Sequence, residues 1–271
     1  HQAVGFNASG TIENLDRPSS ISATADREAR EYLALLNRMH ESRFPGNSVL
    51  GARVASYELA ARMQLSAPEA SDFDSETSAT HAMYGTTSSN KLKAAYARNC
   101  LLARRMLERG VRFVQLYHGD VQPWDSHSNI EENHRKLGQA CDQGIAALLT
   151  DLKQRGLLDD TLVLCGGEFG RTPAQELGQP GVGSDGRGRD HNHWGFSVWL
   201  AGGGVKGGQA IGSTDEVGFR AVENRAHVSD LHATVLQLMG FDHHKLTYFN
   251  QGLDERLTGV QPRRVLQEVL A

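Results

Sequence analysis

Two segments constrain this chain more than any other feature. They are GGEFGRTP (Gly166 to Pro173) and, about twenty residues on, GRDHNHWGF (Gly188 to Phe196). The run before Glu168, TLVLCGG, is short, apolar and rich in β-branched residues, and it ends in paired glycines. That pattern predicts a buried parallel strand delivering Glu168 to its carboxyl end. Ligands in open α/β sheets gather at that edge. An acid there, followed by an Asp/His cluster, marks the place where a metal site would be assembled.

The rest of the chain reads as alternating elements. Residues 1–24 are polar and Gly/Ser-rich without periodicity, an irregular lead-in. A region of helix and loop follows over 26–89. Its first helix is expected from about Asp26 to Ser42, with Tyr32, Leu35, Leu36 and Met39 on one face and FPGN as its stop. A second covers about Ala52 to Leu65, and 66–89 reads as a surface loop carrying Asp72, Asp74 and Glu76. Residues 90–271 form a helix-strand core. There the helix Lys91 to Arg109 closes at Gly110 and leads into the strand VRFVQLY. A loop carrying WDSH precedes a helix from about Asn129 to Arg155, opened by Ser128 with Glu131 three residues on and closed by Gly156. TLVLCGG, FSVWLAGGG and a last helix from Ser229 to Met239 complete the pattern. Helices between apolar strands imply crossover units. The expected architecture is therefore a single α/β domain over 1–271, doubly wound, with a mostly parallel sheet covered by helices on both faces.

Charge and composition narrow the function classes. Against 32 acidic residues stand 28 basic ones, a formal net charge of −4, with no long basic run. That balance argues against a general nucleic-acid binder, whose affinity would rest on a basic face neutralising phosphates. Apolar stretches reach only about eight residues, far short of the roughly 20 that cross a bilayer. Cys100, Cys141 and Cys165 are odd in number and lack CxxC spacing, so they read as buried apolar side chains rather than a disulfide framework or a zinc-thiolate site. The first residue is His1 with no leader after it, and the chain is expected to be a processed product or part of a longer protein.

The chemistry-bearing residues fall on strand-end loops. His118, Asp125 and His127 follow VRFVQLY; Glu168 and Arg171 follow TLVLCGG; Asp190, His191 and His193 precede FSVWLAGGG. Imidazoles and carboxylates converging on one edge are the ligand set of Zn²⁺, or of Mn²⁺, Fe or Ca²⁺ where oxygens dominate. Simpler readings stand beside this one. Asp125 serves equally as a turn residue. Glu168, directly after a buried strand, needs a partner, which is either a metal or Arg171 in a structural clasp. His243 and His244 read as surface residues, and Ser229 and Asp230 as the cap and first-turn acid of the last helix. GGGVKGG departs from the GxxxxGK[ST] phosphate loop and reads as a tight turn.

Together, RFVQLYHGD, WDSHSNIEENHRKL, TLVLCGGEFGRTP, GRDHNHWGFSVWLAGGGVKGG and HVSDLHATVLQLMG closely resemble the sulfatase-like family of unknown function numbered 1501, placed in the alkaline phosphatase superfamily. The resemblance covers most of residues 26–271. It implies the doubly wound fold and metal-dependent hydrolysis of phosphate or sulfate esters of small molecules or glycans. It also implies an exported protein, periplasmic or extracellular. Glu168-Phe169 stands where the superfamily has an Asp-His pair. Asp125 and His127 resemble the Asp and His of the other metal site, and His191, with Asp190 beside it, resembles the late His ligand. No segment matches the superfamily's first strand, early Asp ligand or nucleophile, which are expected upstream. On this resemblance the metal ligands are Asp125, His127, Glu168, Asp190 and His191, holding Zn, Mn or Ca. Arg171 offsets developing charge, and His118 or His193 protonates the leaving group. Two other classes stay open: a non-catalytic α/β binding module whose Asp/His cluster is structural, and a mutase or isomerase.

Overall fold

A computed structural model describes residues 18–119, 122–175 and 187–271, with the backbone alone for 60–68. The chain separates into two compact units, His1–Leu116 and Tyr117–Ala271. Of the expected irregular lead-in over 1–24, residues 1–17 lie outside the described residues, and α1 already begins at Ala23.

The first unit is helical. Helix α1 (Ala23–Arg43) starts at Ser22, whose side chain accepts from the Ala25 amide, and α2 (Ser48–Ser71) follows a turn. The region expected as a loop is instead structured: α2 runs on to Ser71, a 3₁₀ turn covers Phe73–Ser75, and α3 (Ser78–Tyr84) is capped by the Thr77 side chain. Helix α4 (Lys91–Glu108) carries the core, burying Ala94, Ala97, Cys100, Leu101 and Leu102. Glu76, from the acidic patch, is one anchor of this unit. Its carboxylate lies 2.8 Å from Arg104 Nη2 and also pairs with Arg105, all three side chains being buried. Arg105 in turn donates from Nε to the Ala70 carbonyl at 2.7 Å and from Nη2 to that of Glu69 at 2.7 Å, satisfying the end of α2.

The second unit overturns the doubly wound parallel sheet. Its strands are short and pair antiparallel: β1 (Val163–Cys165) with β4 (Trp199–Ala201), β2 (Gly170–Arg171) with β3 (His191–Asn192), β5 (Ser213–Thr214) with β6 (Ala221–Glu223), and β7 (Thr247–Asn250) with β8 (Leu253–Arg256). The physical reason lies in the connections. Parallel neighbours need a crossover of a dozen or more residues, usually a helix. Among the described residues no helix separates β1 from β4, so the chain comes back antiparallel. TLVLCGG is not buried on both faces either, since Leu164 is 44% exposed. VRFVQLY forms no strand, and its Phe113 and Tyr117 lie open to solvent. Apolar burial sits mainly on helices, with α5 (Ile130–Gln154) contributing Leu137, Ala140, Ala147, Leu148 and Leu152.

Caps differ in detail from the expectation. Asn129, in a left-handed conformation (φ 45°), precedes α5 in place of Ser128, and Gly156 (φ 68°) follows it. Helix α6 (Val228–Leu238) is capped by His227, which accepts from the Ser229 amide while Asp230 accepts from that of His227. His243 is 5% exposed and bonded to Thr258 at 3.2 Å, not a surface residue. Cys100, Cys141 and Cys165 are all free thiols. No described helix is long and apolar enough to cross a membrane.

Candidate metal centre

The site is built where two loops of the second unit meet. In the first, the Asp125 amide donates to the Gln122 carbonyl at 3.1 Å, closing a turn ahead of α5. In the second, residues 187–190 lead into β3. Two backbone bonds join them: Arg189 N to Ser126 O at 3.3 Å, and Ile130 N to Arg187 O at 3.3 Å. Gly188 lies between these contacts against the His127 backbone, and a Cβ at that position would run into the His127 carbonyl. Only glycine permits that approach.

A two-residue ladder sets the next side chains. In the β2–β3 pair, Arg171 is directly opposite His191 and Gly170 opposite Asn192. Directly opposed residues share one face of the pair. Arg171 and His191 therefore project together, while Asn192, 1% exposed, is fixed inside. Asn192 donates from Nδ2 to the Phe219 carbonyl at 2.9 Å and accepts the Trp194 amide at 3.1 Å.

Three nitrogens meet at Asp125. His127 Nε2 and His191 Nε2 each lie 3.0 Å from Asp125 Oδ1, and Arg171 Nη2 lies 2.6 Å from the same oxygen. One ligand atom from each of Asp125, His127 and His191 falls within 4.8 Å of the others, a group able to hold a metal ion. Arg171 Nη1 also donates to the Arg189 carbonyl at 3.3 Å. Phe169 lies against His191 with the rings tilted 40° and centroids 4.4 Å apart, and 5.8 Å from the guanidinium carbon of Arg171. Partial burial alone would raise the Asp125 carboxyl. Hydrogen bonds from Arg171 and His191, with the charges of Arg171 and His127, outweigh it and hold the carboxyl below its ordinary range.

The remaining candidates lie around this group or apart from it. Glu168 is exposed, and Arg171 pairs with Asp125 rather than with Glu168. The Asp190 carboxylate accepts the His191 amide at 2.7 Å, bracing the loop. His193 is exposed, its ring tilted against that of Trp194 with centroids 4.3 Å apart. His118 accepts at Nδ1 from Trp124 Nε1 at 3.0 Å, and burial lowers its basicity. A neutral imidazole accepting at Nδ1 carries its proton on Nε2.

Sequence reasoning passed over three positioning residues. Asn192 was signalled by the alternation in HNHWG, with a small amide between two exposed imidazoles. Gly188 was signalled by its place directly before the Arg-Asp-His run. His134 gave no signal, yet its Nε2 donates to the Trp124 carbonyl at 2.9 Å and ties the Asp125 turn to α5.

The family described as "Protein of unknown function (DUF1501)" matches residues 1–270. No curated protein and no solved structure matches the chain.

Proposed function

We propose, for a chain that belongs to the DUF1501 family of proteins of unknown function, that Asp125, His127 and His191 hold a divalent cation and that the site hydrolyses phosphate or sulfate esters of small molecules or glycans. The observation that carries the reading is the convergence of two imidazoles and a carboxylate, from loops far apart in sequence, beside a guanidinium. Three protein ligands are the complement of a catalytic zinc site that keeps one position open. Two nitrogens among three ligands favour zinc over calcium, which prefers oxygen.

A divalent cation there would supply Lewis-acid polarisation of an ester oxygen. The protein's own groups supply the rest. Arg171 presents a planar fork of donors suited to the oxygens of a phosphate or sulfate. The Nε2 of His118 is buried, so of the two imidazoles read as leaving-group donors the exposed one is His193. His191, with a side chain 46% exposed, forms the side open to substrate. This reading rests on side chains and not on the sheet.

One observation favours a second reading. The 2.6 Å pair between Arg171 and Asp125 satisfies the carboxylate with protein groups alone, as a structural cluster in a binding module would. Hydrolysis of p-nitrophenyl phosphate and p-nitrophenyl sulfate separates the two. Activity should vanish on chelation, return with zinc or manganese, and fall by at least about a hundredfold in His191→Ala. Folded protein inactive on both esters with every metal supplied favours the binding module.

A further inference from the structure

Resting on the reading of a cation at Asp125, His127 and His191, the geometry around Asp125 Oδ1 carries a further consequence for Arg171. That oxygen already has three nitrogen neighbours, His127 Nε2 and His191 Nε2 at 3.0 Å and Arg171 Nη2 at 2.6 Å. A carboxylate oxygen offers about two lone-pair directions. A cation ligated by the same oxygen, at roughly 2.0–2.2 Å, takes one of them and sets its charge beside the guanidinium.

Arg171 has little to fall back on. Its side chain is 17% exposed. Its other hydrogen-bond partners among the described residues are neutral carbonyls, of Arg189 at 3.3 Å and Trp124 at 3.5 Å. A largely buried guanidinium without a counter-charge is unfavourable. Whatever takes Asp125 from Arg171 leaves it in need of an anion. Phe169, 5.8 Å from the guanidinium carbon, offers a ring face that keeps Arg171 at the site while its partner changes.

We infer that a divalent cation and Arg171 compete for Asp125, and that a tetrahedral oxyanion bound by Arg171 relieves the competition, so that cation and oxyanion bind cooperatively. Arginine suits this exchange because its fork pairs with carboxylate and oxyanion alike. Linkage makes the effect reciprocal: the oxyanion tightens the cation by the factor by which the cation tightens the oxyanion. Arg171 is then both the anion-binding residue and the residue that sets cation affinity.

The test is zinc affinity of the full chain, by competition with a chromophoric chelator, in chloride and in sulfate at equal ionic strength. Sulfate should tighten zinc about tenfold in the wild type. Arg171→Gln should bind zinc about tenfold more tightly than wild type in chloride and lose the sulfate response, whereas Arg171→Lys, which keeps the charge, should stay close to wild type in chloride. Zinc affinity indifferent to sulfate in the wild type, and unchanged in Arg171→Gln, overturns the competition while leaving the metal site standing. Absence of zinc binding in every variant overturns the metal reading, and the competition with it. Should Arg171→Gln fail to fold, the sulfate response of the wild type decides alone.

Discussion

Asn192 and Gly188 are the residues on which the site's shape most depends, though neither touches the candidate metal position. Asn192→Ala leaves the Phe219 carbonyl and the Trp194 amide without their partner in a buried place. The expected loss is about 2–3 kcal/mol in chemical denaturation. Gly188→Ala drives a methyl group into the His127 carbonyl and should force the two loops apart. We expect a cost of about 1–3 kcal/mol together with weakened metal retention. Retention of full metal affinity in a folded Gly188→Ala protein contradicts the role given to that contact. Asp125 supplies a pH signature. Its carboxyl is held below the ordinary value of 3.8, so its contribution to stability is present in full above that value and disappears as pH falls through the lower, folded one. The stability difference between wild type and Asp125→Asn should accordingly close only below about pH 3.8. A difference that has vanished by pH 5 contradicts the arrangement around Asp125.

At the scale of elements, helices and strands differ sharply in what the sequence revealed. Helices α1, α4, α5 and α6 were legible because apolar periodicity and glycine stops are local signals. The 66–89 stretch was not, since α2 runs into it as far as Ser71 and α3 begins at Ser78 behind the cap Thr77, set among polar residues that also suit a loop. Strand direction was the larger failure. A run such as TLVLCGG declares extended structure but not the direction of its partner, which depends on the connection. Here β1 pairs antiparallel with β4. The same gap hid the role of Arg171. Only the β2–β3 register sets it opposite His191 and in reach of Asp125, and that register is a two-residue feature with no periodicity to detect. Glu76→Ala strips the buried Arg104 and Arg105 of a shared carboxylate. Removing one partner of a buried ion pair costs about 3–5 kcal/mol. A denaturation midpoint unchanged by Glu76→Ala contradicts that anchor.

For the molecule as a whole, Asp125, His127, His191 and Arg171 all belong to the Tyr117–Ala271 unit. The ligand types were legible because imidazoles and carboxylates concentrated in loops are conspicuous in any sequence, whereas the loop-to-loop packing that brings Asp125 to His191 is tertiary and leaves no local mark. Helices, not a central sheet, supply most of the core of this unit, so the site is held by α5, two short strands and a glycine contact. The measurement that tests the central claim most directly is elemental analysis of the purified chain after zinc loading and desalting, with Asp125→Ala, His127→Ala, His191→Ala and Glu168→Ala alongside. We predict about one zinc per chain in the wild type and in Glu168→Ala, and loss of it in each of the other three. Zinc retained in folded Asp125→Ala and His191→Ala, or absent from the folded wild type, contradicts a metal centre at this position.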